Sequence, residues 1–385
     1  MSEEERLPLR VLYVTHEPNL TGASRSLLDL LGALDHTEVE PMVLVGKRGP
    51  LTGKLDAMGI QWKRITYRQC VRPRDSGAGI KAFAKKRLNV IAVPRVARFM
   101  REEGFDIVHC NSLLTDVGAR AAIRAQLPYV EHVRDLVHED HNMVFMDQVL
   151  VRDGLRHSRM NVFISHAVED KFLPWAPNAP HAVMYDGIDS SAYDRPHGSL
   201  FVEGQVKLLM AGRIAPGKGQ LEAVRGLEEL RHRGIDAQLV IVGGSGDDAY
   251  RDEMLTYIRK HCLTGAVKVL DFTDDLTCLR AESDVCLTCS SNEAMGRVTI
   301  EAMMAGCLVV AANYGATKEL VADGETGLLY EFGHPESLAD KIQWAMGHPD
   351  QANQIARSGK KWALDVFDVK KYAGKMVEVY RKIVN

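Results

Sequence analysis

Residues 207–219 read KLLMAGRIAPGKG, and this stretch decides the fold of the second half of the chain. An apolar run at 207–211 leads into a glycine-rich loop, and an amphipathic pattern then continues to residue 233. A strand that passes through a glycine-rich turn into a helix is the repeating unit of a parallel sheet. The stretch therefore predicts a strand at 207–211 and a helix at 219–233.

The same unit recurs on both sides of this stretch. Apolar runs of four to six residues without alternation are typical of strands buried on both faces. The predicted strands are 9–14, 41–45, 106–109, 129–132, 161–164 and 182–184 in the first half, and 207–211, 238–242, 267–270, 284–288, 308–311 and 328–330 in the second. The fold class is therefore α/β, with two Rossmann-like, doubly wound domains.

The boundary between these domains is predicted where apolar residues become rare, at 189–204. Residues 1–190 form the first predicted domain and 205–365 the second. Helices at 351–364 and 369–384 end the chain, and we expect segment 366–385 to cross back to the first domain. Ligands of such sheets bind beyond the carboxyl ends of the strands, so a central cleft between the domains is the expected site.

Composition restricts the class of protein. The chain has 385 residues, 46% apolar and 26% charged, which is typical of a soluble globular protein rather than a disordered one. It contains no apolar run long enough to span a membrane, and residues 1–10 lack the apolar core of a signal peptide. Seven scattered cysteines favour a reducing compartment, so we expect a cytoplasmic protein. Cys286 and Cys289 form an isolated pair that indicates buried thiols rather than a metal site.

Charge is distributed unevenly. Residues 63–101 contain twelve Lys or Arg and one acid, Asp75, although the whole chain has a net charge of −3. Apolar residues interleave with these cations, so the segment could bind an anionic membrane surface or an anionic acceptor. The alternative is a solvated helix whose apolar face is core, with Pro94 expected to break it. The candidate contacts are Lys81, Lys85, Lys86 and Arg87.

Two glycine-rich turns are candidate phosphate sites. In the first, beginning at Gly212, Arg213 can chelate phosphate oxygens, and Lys218 can neutralise them before the following helix. The second turn begins at Gly243 and lacks the Gly-x-Gly-x-x-Gly order, which argues against a nicotinamide cofactor. The alternative for both is an ordinary turn between strand and helix.

Two acidic residues, Glu293 and Glu301, flank the start of a helix predicted at 298–305. Both could face one pocket, where carboxylates would bind sugar hydroxyls; their spacing alone also arises by chance. Three histidines, His16, His109 and His132, lie where predicted strands end. Each could contact a ligand or simply be a surface residue at the end of a strand.

In this order, these motifs resemble those of the retaining GT-B glycosyltransferases with the Glu-x7-Glu signature. The resemblance extends from Val11 to about Val384. Besides the motifs above, it rests on Gly22 in the loop after the first strand, 106–109, 186–189, 315–319 and 323–329.

The resemblance implies transfer of a sugar from a nucleotide-diphosphate-sugar to a hydroxyl acceptor with retained anomeric configuration. It implies that Arg213 and Lys218 neutralise the leaving diphosphate, while Glu293 holds the donor sugar and Glu301 the ribose. Met295 and Gly296 would face the sugar or phosphate, Gly22 would approach the diphosphate, and His109 would lie near the transferred sugar. Gly212 and Gly243 complete the implied donor site.

The resemblance also implies the partners of the reaction. No Asp-x-Asp occurs in the chain, which fits catalysis without a metal or other cofactor. We expect a UDP-sugar slightly ahead of a GDP-sugar, an acceptor from cell-envelope biosynthesis that could be lipid-linked or anionic, and peripheral attachment to the cytoplasmic face of the membrane. Nucleic acid is not expected.

Asp186, Ala294-Met295, Ala316 and Thr21 depart from the common family pattern. Two alternatives therefore stay open: a nucleotide-sugar-binding protein without turnover, and a GT-B nucleotide-sugar epimerase.

Overall fold

The structure is a computed structural model that describes residues 7–76, 79–193, 197–202, 204–273 and 275–384. The chain divides into two compact units, Met1–Ile188 with Val369–Asn385, and Asp189–Asp368. Each unit is built around its own parallel sheet.

The first unit contains a seven-stranded parallel sheet in the order β3-β2-β1-β5-β6-β8-β9, and a separate antiparallel pair, β4 and β7. Its strands are β1 Leu9–Val14, β2 Val39–Val45, β3 Gln61–Arg64, β4 Val71–Pro73, β5 Ile107–Cys110, β6 Tyr129–Val133, β7 Met143–Phe145, β8 Met160–Phe163 and β9 His181–Val183. Its helices are α1 Gly22–Ala33, α2 Pro50–Ala57, α3 Ile80–Glu103, α4 Val117–Ala125, α5 His138–His141, α6 Gln148–His157 and α7 His166–Phe172.

The second unit contains a six-stranded parallel sheet in the order β12-β11-β10-β13-β14-β15. Its strands are β10 Val206–Ala211, β11 Ala237–Val242, β12 Val267–Leu270, β13 Val285–Thr288, β14 Leu308–Ala312 and β15 Leu328–Tyr330. Its helices are α8 Gln220–His232, α9 Asp248–Lys260, α10 Thr277–Ala281, α11 Arg297–Ala305, α12 Thr317–Leu320, α13 Pro335–Gly347 and α14 Pro349–Val366.

The last helix, α15 Val369–Val384, packs in the core of the first unit. It buries three side chains against residues of β1 and α1, namely those of Tyr372, Met376 and Tyr380. Close packing extends to the segment that leaves this unit, because a Cβ added at Gly187 would lie 2.6 Å from the Cα of Val369. Glycine is therefore required where the outgoing and returning segments cross.

The predicted strands are confirmed to within about two residues at either end. Three short strands were not predicted: β3 is polar and exposed at a sheet edge, and β4 and β7 have only three residues each. The prediction that Pro94 breaks the basic helix is wrong, since α3 continues through it to Glu103. Pro94 lies on the exposed face of α3, where water can hydrate the carbonyl that loses its helical donor.

The predicted linker is only partly a linker. Pro196 lies outside the described residues, but segment 197–202 packs on the second unit. Leu200 is buried in its core, and the Phe201 amide donates to the Asp284 carboxylate at 2.6 Å. No helix among the described residues is both long and apolar enough to cross a membrane.

Each sheet has one point at which its strand order reverses direction. In the first sheet this point lies between β1 and β5, and in the second between β10 and β13. Loops leaving neighbouring strands at such a point diverge and leave a crevice where ligands bind. The loops after these four strands are therefore the places to look for a site.

Candidate functional site

In the second unit, the loops after β10 and β11 pack directly on one another. The Gly212 amide donates to the Val242 carbonyl at 2.9 Å, and the Ile214 amide to the Gly244 carbonyl at 3.0 Å. A Cβ at Gly243 would lie 2.7 Å from the carbonyl carbon of Gly212 and closer still to its oxygen. Only glycine at 243 allows this backbone contact, and the contact fixes the position of loop 212–219 relative to the loop after β11.

Loop 212–219 also contacts Gln220 and Cys289. The buried amide of Gln220 donates to the Arg213 carbonyl at 3.0 Å. Gly219 has a φ of +76°, and a Cβ there would lie 2.8 Å from the carbonyl carbon of Cys289. The loop that carries the predicted phosphate ligands is therefore fixed against both neighbouring strands.

Lys218 and Glu293 form the central contact of this site. Nζ of Lys218 donates to Oε1 of Glu293 at 2.7 Å, and the Ser290 hydroxyl donates to the same oxygen at 2.7 Å. The Glu293 side chain is 9% exposed and that of Lys218 26%. Two residues 75 positions apart thus meet at the reversal point of the sheet, with the lysine still open to solvent.

The remaining loops complete the cradle around this pair. The aliphatic stem of Arg213 lies over Gly246, where an added Cβ would be 2.5 Å from its Cγ. The Ala316 amide donates to the Glu293 carbonyl at 3.2 Å, and the Ser291 amide donates to the Gly217 carbonyl at 3.1 Å. Four chain segments therefore converge on one polar surface.

Glu301 lies in the second turn of α11 and is held by two arginines. Arg280 donates to its Oε2 at 2.6 Å and Arg297 to its Oε1 at 2.9 Å. Burial alone would raise the pKa of the Glu301 carboxyl, but the charges of Arg297 and Arg280 outweigh burial and lower that pKa. Glu293 and Glu301 thus have different partners, and Glu301 is ionised.

The other predicted donor residues occupy two places. Gly296 has a φ of +89° and directly precedes α11, while the Met295 side chain is buried beside it. Gly22 is the first residue of α1, and a Cβ there would meet no described atom within 4 Å. Space for a ligand therefore exists beside the Gly22 backbone.

The structure contradicts the predicted ligand contacts of His109 and His132. His109 lies inside β5 rather than at its end and is fully buried. Its Nδ1 is 2.7 Å from the Tyr380 hydroxyl, and its Nε2 is 3.2 Å from Nδ1 of His132. His132 is equally buried, and its Nδ1 also lies 3.1 Å from the Arg134 guanidinium. Both rings are therefore part of the core of the first unit.

Electrostatics agree with this internal role. Burial and the Arg134 charge lower the pKa of both His109 and His132, so both are neutral at pH 7. Arg134 itself pairs with the buried carboxylate of Asp186. The aspartate that departs from the family pattern thus has a charged partner on β6's exit loop.

Asn111, and not a histidine, lies where the sequence predicts a ligand contact after β5. It directly follows β5 at the reversal point, and its Nδ2 donates to the Ala23 carbonyl beside Gly22 at 3.2 Å. His16 lies two residues beyond β1, with Nε2 3.1 Å from Oε1 of Glu17. Asn111 would have been found by extending the predicted strand by one residue.

A further polar group was not predicted from the sequence. Ligand atoms of Asp135, Asp140 and His141 lie within 4.8 Å of one another, a spacing at which they could hold a metal ion. The Asp135 carboxylate also accepts a hydrogen bond from the Ser112 hydroxyl at 2.8 Å and lies 3.1 Å from Nε2 of His141.

Cys286 and Cys289 are buried free thiols, as predicted.

The basic residues of α3 differ in what they contact. Lys85 donates to the Val71 carbonyl at 3.2 Å, and Lys86 lies 3.3 Å from an oxygen of Asp147. Arg87 stacks over the Phe83 ring, and Lys81 is exposed. The exposed face of the helix also carries large apolar side chains, namely Ile80, Phe83, Val90 and Ile91.

Two family models match the chain in succession. The model described as Glycosyltransferase Family 4 matches residues 20–192, and the model described as Glycosyl transferases group 1 matches 195–362. The Bacillus subtilis protein YtcC is 27% identical over 312 residues, which is 75% of each of the two chains. The 2-deoxystreptamine glucosyltransferase of Streptomyces kanamyceticus is 29% identical over 184 residues, so the chain spans only 47% of that relative.

Solved structures agree with this assignment at the level of the fold. HepE of Anabaena in complex with UDP superposes with a TM-score of 0.82 at 24% identity, over 97% of this chain and 100% of HepE. Its complex with UDP-glucose gives a TM-score of 0.79 at 23% identity, over the same share of both chains. The chain therefore belongs to the group 1 glycosyltransferases and has their GT-B fold.

Proposed function

We propose that this protein transfers a sugar from a nucleotide-diphosphate-sugar to a hydroxyl acceptor with retention of the anomeric configuration. The observation that carries the proposal is the contact between Lys218 and Glu293 at the reversal point of the second sheet. A cation for a diphosphate and a carboxylate for sugar hydroxyls lie side by side there. Family membership makes sugar transfer the reaction that uses both.

Lys218 and Arg213 would act on the leaving group. As the bond between the anomeric carbon and the diphosphate oxygen breaks, negative charge grows on that oxygen. Fixed cations placed where charge develops lower the barrier more than they tighten ground-state binding. The backbone contacts of loop 212–219 fix the part of the chain that carries both residues before the donor arrives.

Glu293 would orient the donor sugar through its hydroxyls, using lone pairs that Lys218 and Ser290 leave available. The acceptor oxygen attacks the anomeric carbon on the face that the diphosphate leaves. The acceptor proton passes to the leaving phosphate oxygen, so no separate base is needed and atoms balance. The absence of Asp-x-Asp supports a reaction without a metal.

A UDP-sugar is the proposed donor. The complexes of HepE with UDP and UDP-glucose support a uridine nucleotide, although the likeness to HepE is one of fold. The test is a panel of UDP-, GDP- and dTDP-sugars, scored by thermal shift and by release of the nucleoside diphosphate. A donor at a hundred times its dissociation constant should add ~2.7 kcal/mol to stability.

Variants then test the residue roles. Arg213→Ala and Lys218→Ala should each raise the barrier by ~2–4 kcal/mol, or about 30- to 1000-fold in rate. Lys260→Ala, at the exposed end of α9, is the matched control and should keep the wild-type rate. Unchanged turnover in both site variants, or loss of activity on adding EDTA, contradicts the mechanism. Product analysis without acceptor separates transfer from epimerisation, and nucleotide-sugar binding without product under any acceptor indicates a binding protein.

We further propose a cytoplasmic location, with α3 resting on an anionic membrane during cell-envelope glycan synthesis. Phe83 is 59% exposed and Ile91 51%, and Arg87 lies between them on the same face of α3, with Lys86 beside Phe83. Exposed apolar side chains beside cations suit the boundary between headgroups and acyl chains. His16 remains a proposed acceptor contact, because it lies at the exit of β1.

Liposome co-sedimentation tests the membrane contact. Binding should require phosphatidylglycerol and weaken in high salt, and Phe83→Ser should reduce it. Ile123→Ser, on the partly exposed face of α4, is the matched control. Equal binding to neutral vesicles, or binding to neither, contradicts the electrostatic part of this proposal.

A further inference from the structure

The carboxylate of Glu301 is held by two guanidinium groups that come from different helices. Arg280 lies in α10 and donates to Oε2 at 2.6 Å, whereas Arg297 is the first residue of α11 and donates to Oε1 at 2.9 Å. The two bonds act on different oxygens, so together they fix both the position and the rotation of the carboxylate. A single donor would leave that rotation free.

The first arginine is itself firmly placed. The Arg280 side chain is 5% exposed, and its guanidinium lies 5.4 Å from the centre of the Tyr193 ring. Its backbone carbonyl lies 3.1 Å from Nε2 of His197 and accepts from Sγ of Cys307 at 3.4 Å. Burying an arginine to this degree is costly unless its charge is matched, and Glu301 supplies that match.

The bonds that Glu301 makes leave part of its acceptor capacity unused. A carboxylate offers about four lone-pair sites, and the two arginines take one on each oxygen. One site on each oxygen therefore remains, so each oxygen can accept one further hydroxyl. The side chain keeps 12% of its surface exposed, so a ligand can reach it.

We propose that Arg280 and Arg297 are positioning residues that make the site selective for a nucleoside with both ribose hydroxyls. This rests on the proposed function, which makes a nucleotide part of the donor, and on the resemblance, which implies that Glu301 holds the ribose. An ionised carboxylate held in one orientation gains from accepting both hydroxyls, and a 2′-deoxy nucleotide leaves one lone pair desolvated without a partner. Selectivity between ribose and deoxyribose is therefore set by the arginines as well as by Glu301.

The experiment measures dissociation constants of UDP and 2′-deoxy-UDP, and of GDP and 2′-deoxy-GDP, on the full chain by calorimetry. The wild-type protein should prefer the ribonucleotide by about tenfold or more, equivalent to ~1.4 kcal/mol. Arg297→Met should reduce that preference to about twofold, and Arg297→Lys should restore part of it. Arg357→Met, on the exposed face of α14, is the control and should keep the preference.

Arg280→Met should act in the same direction, but its burial makes a folding defect a risk. Arg297 is 19% exposed and keeps the proposal testable if the Arg280 variant unfolds. Equal binding of ribo- and deoxynucleotides by the wild-type protein overturns the inference and leaves the proposed function standing. So does an Arg297→Met variant that loses affinity for both to the same extent. Failure of every nucleotide to bind overturns the proposed function itself.

Discussion

Three glycines after β11 allow the geometry of the proposed donor site to be tested one contact at a time. Gly243→Ala places a methyl group 2.7 Å from the carbonyl carbon of Gly212. Carbon atoms in contact lie about 3.5–4.0 Å apart, so the two loops must separate by ~1 Å. Displacing catalytic groups by ~1 Å costs about 100-fold in rate, and overpacking a tight site costs ~1–3 kcal/mol of stability. We expect Gly243→Ala to lose both activity and stability.

The other two glycines separate these effects. At Gly246, the three atoms nearest to an alanine methyl all belong to the Arg213 side chain, with Cγ at 2.5 Å. That side chain can move, so Gly246→Ala should lose about as much activity as Arg213→Ala while keeping its melting temperature. At Gly244 the nearest atom is the Cβ of Phe272 at 3.8 Å, an ordinary contact, so Gly244→Ala should behave as wild type.

The assay is kcat/KM for the donor found in the nucleotide-sugar panel, with the melting temperature measured by calorimetry on the same preparations. We expect kcat/KM to rise in the order Gly243→Ala, Gly246→Ala, Gly244→Ala, and this order matters more than any one value. Wild-type kcat/KM in Gly243→Ala refutes the role given to the contact between the two loops. Equal damage from Gly244→Ala refutes the claim that contact distance, rather than loss of glycine, causes the effect.

Two further predictions concern the core of the first unit. Burial raises the pKa of the Glu131 carboxyl, which keeps it protonated in the folded state while the unfolded chain ionises above pH ~4.5. The free energy of unfolding should therefore fall with rising pH. The stability that Glu131→Gln gains over wild type should grow by up to ~1.4 kcal/mol per pH unit when urea titrations at pH 5 and pH 7 are compared. A gain that does not change with pH contradicts this prediction. For the neutral His109 and His132 the pH dependence of stability has the opposite sign, because the unfolded chain takes up protons below pH ~6.5 while the folded chain does not. Wild-type stability should therefore fall on acidification through that range. Tyr380→Phe removes the hydrogen-bond partner of His109 and should cost ~1 kcal/mol of stability. Equal urea midpoints for Tyr380→Phe and wild type would show that the buried hydroxyl contributes nothing.

The sheets could be predicted because their strands are buried on both faces. A run such as 308–311 is apolar at every position, and a central parallel strand, which is buried on both faces, accommodates that pattern. The polar edge strand β3 carries no such signal, since three of its four residues are exposed. Pro94 misled the prediction for a related reason: the penalty for proline in a helix depends on which face it occupies, and the sequence does not state that face.

The candidate site was less predictable because its positions depend on single residues. Strand β5 ends one residue later than predicted, and that shift moves His109 from the ligand edge into the core and brings Asn111 to the edge. The partners of Glu301 were also missed, because Arg280 approaches from a separate helix 21 residues away. Local sequence patterns indicated which loops matter, but the contacts between loops depend on the tertiary structure.

The contact between Lys218 and Glu293 has a consequence for how the site would discriminate between ground state and transition state. Each charge already has a partner before any donor binds, so a neutral ligand gains little by displacing that contact. In the proposed reaction, a diphosphate would compete with Glu293 for the lysine, and it would compete best when its charge is greatest, as the bond to the sugar breaks. The pair would therefore weaken binding of the donor in the ground state while preserving stabilisation of the departing diphosphate in the transition state. Interactions that are stronger in the transition state than in the ground state are the ones that raise kcat.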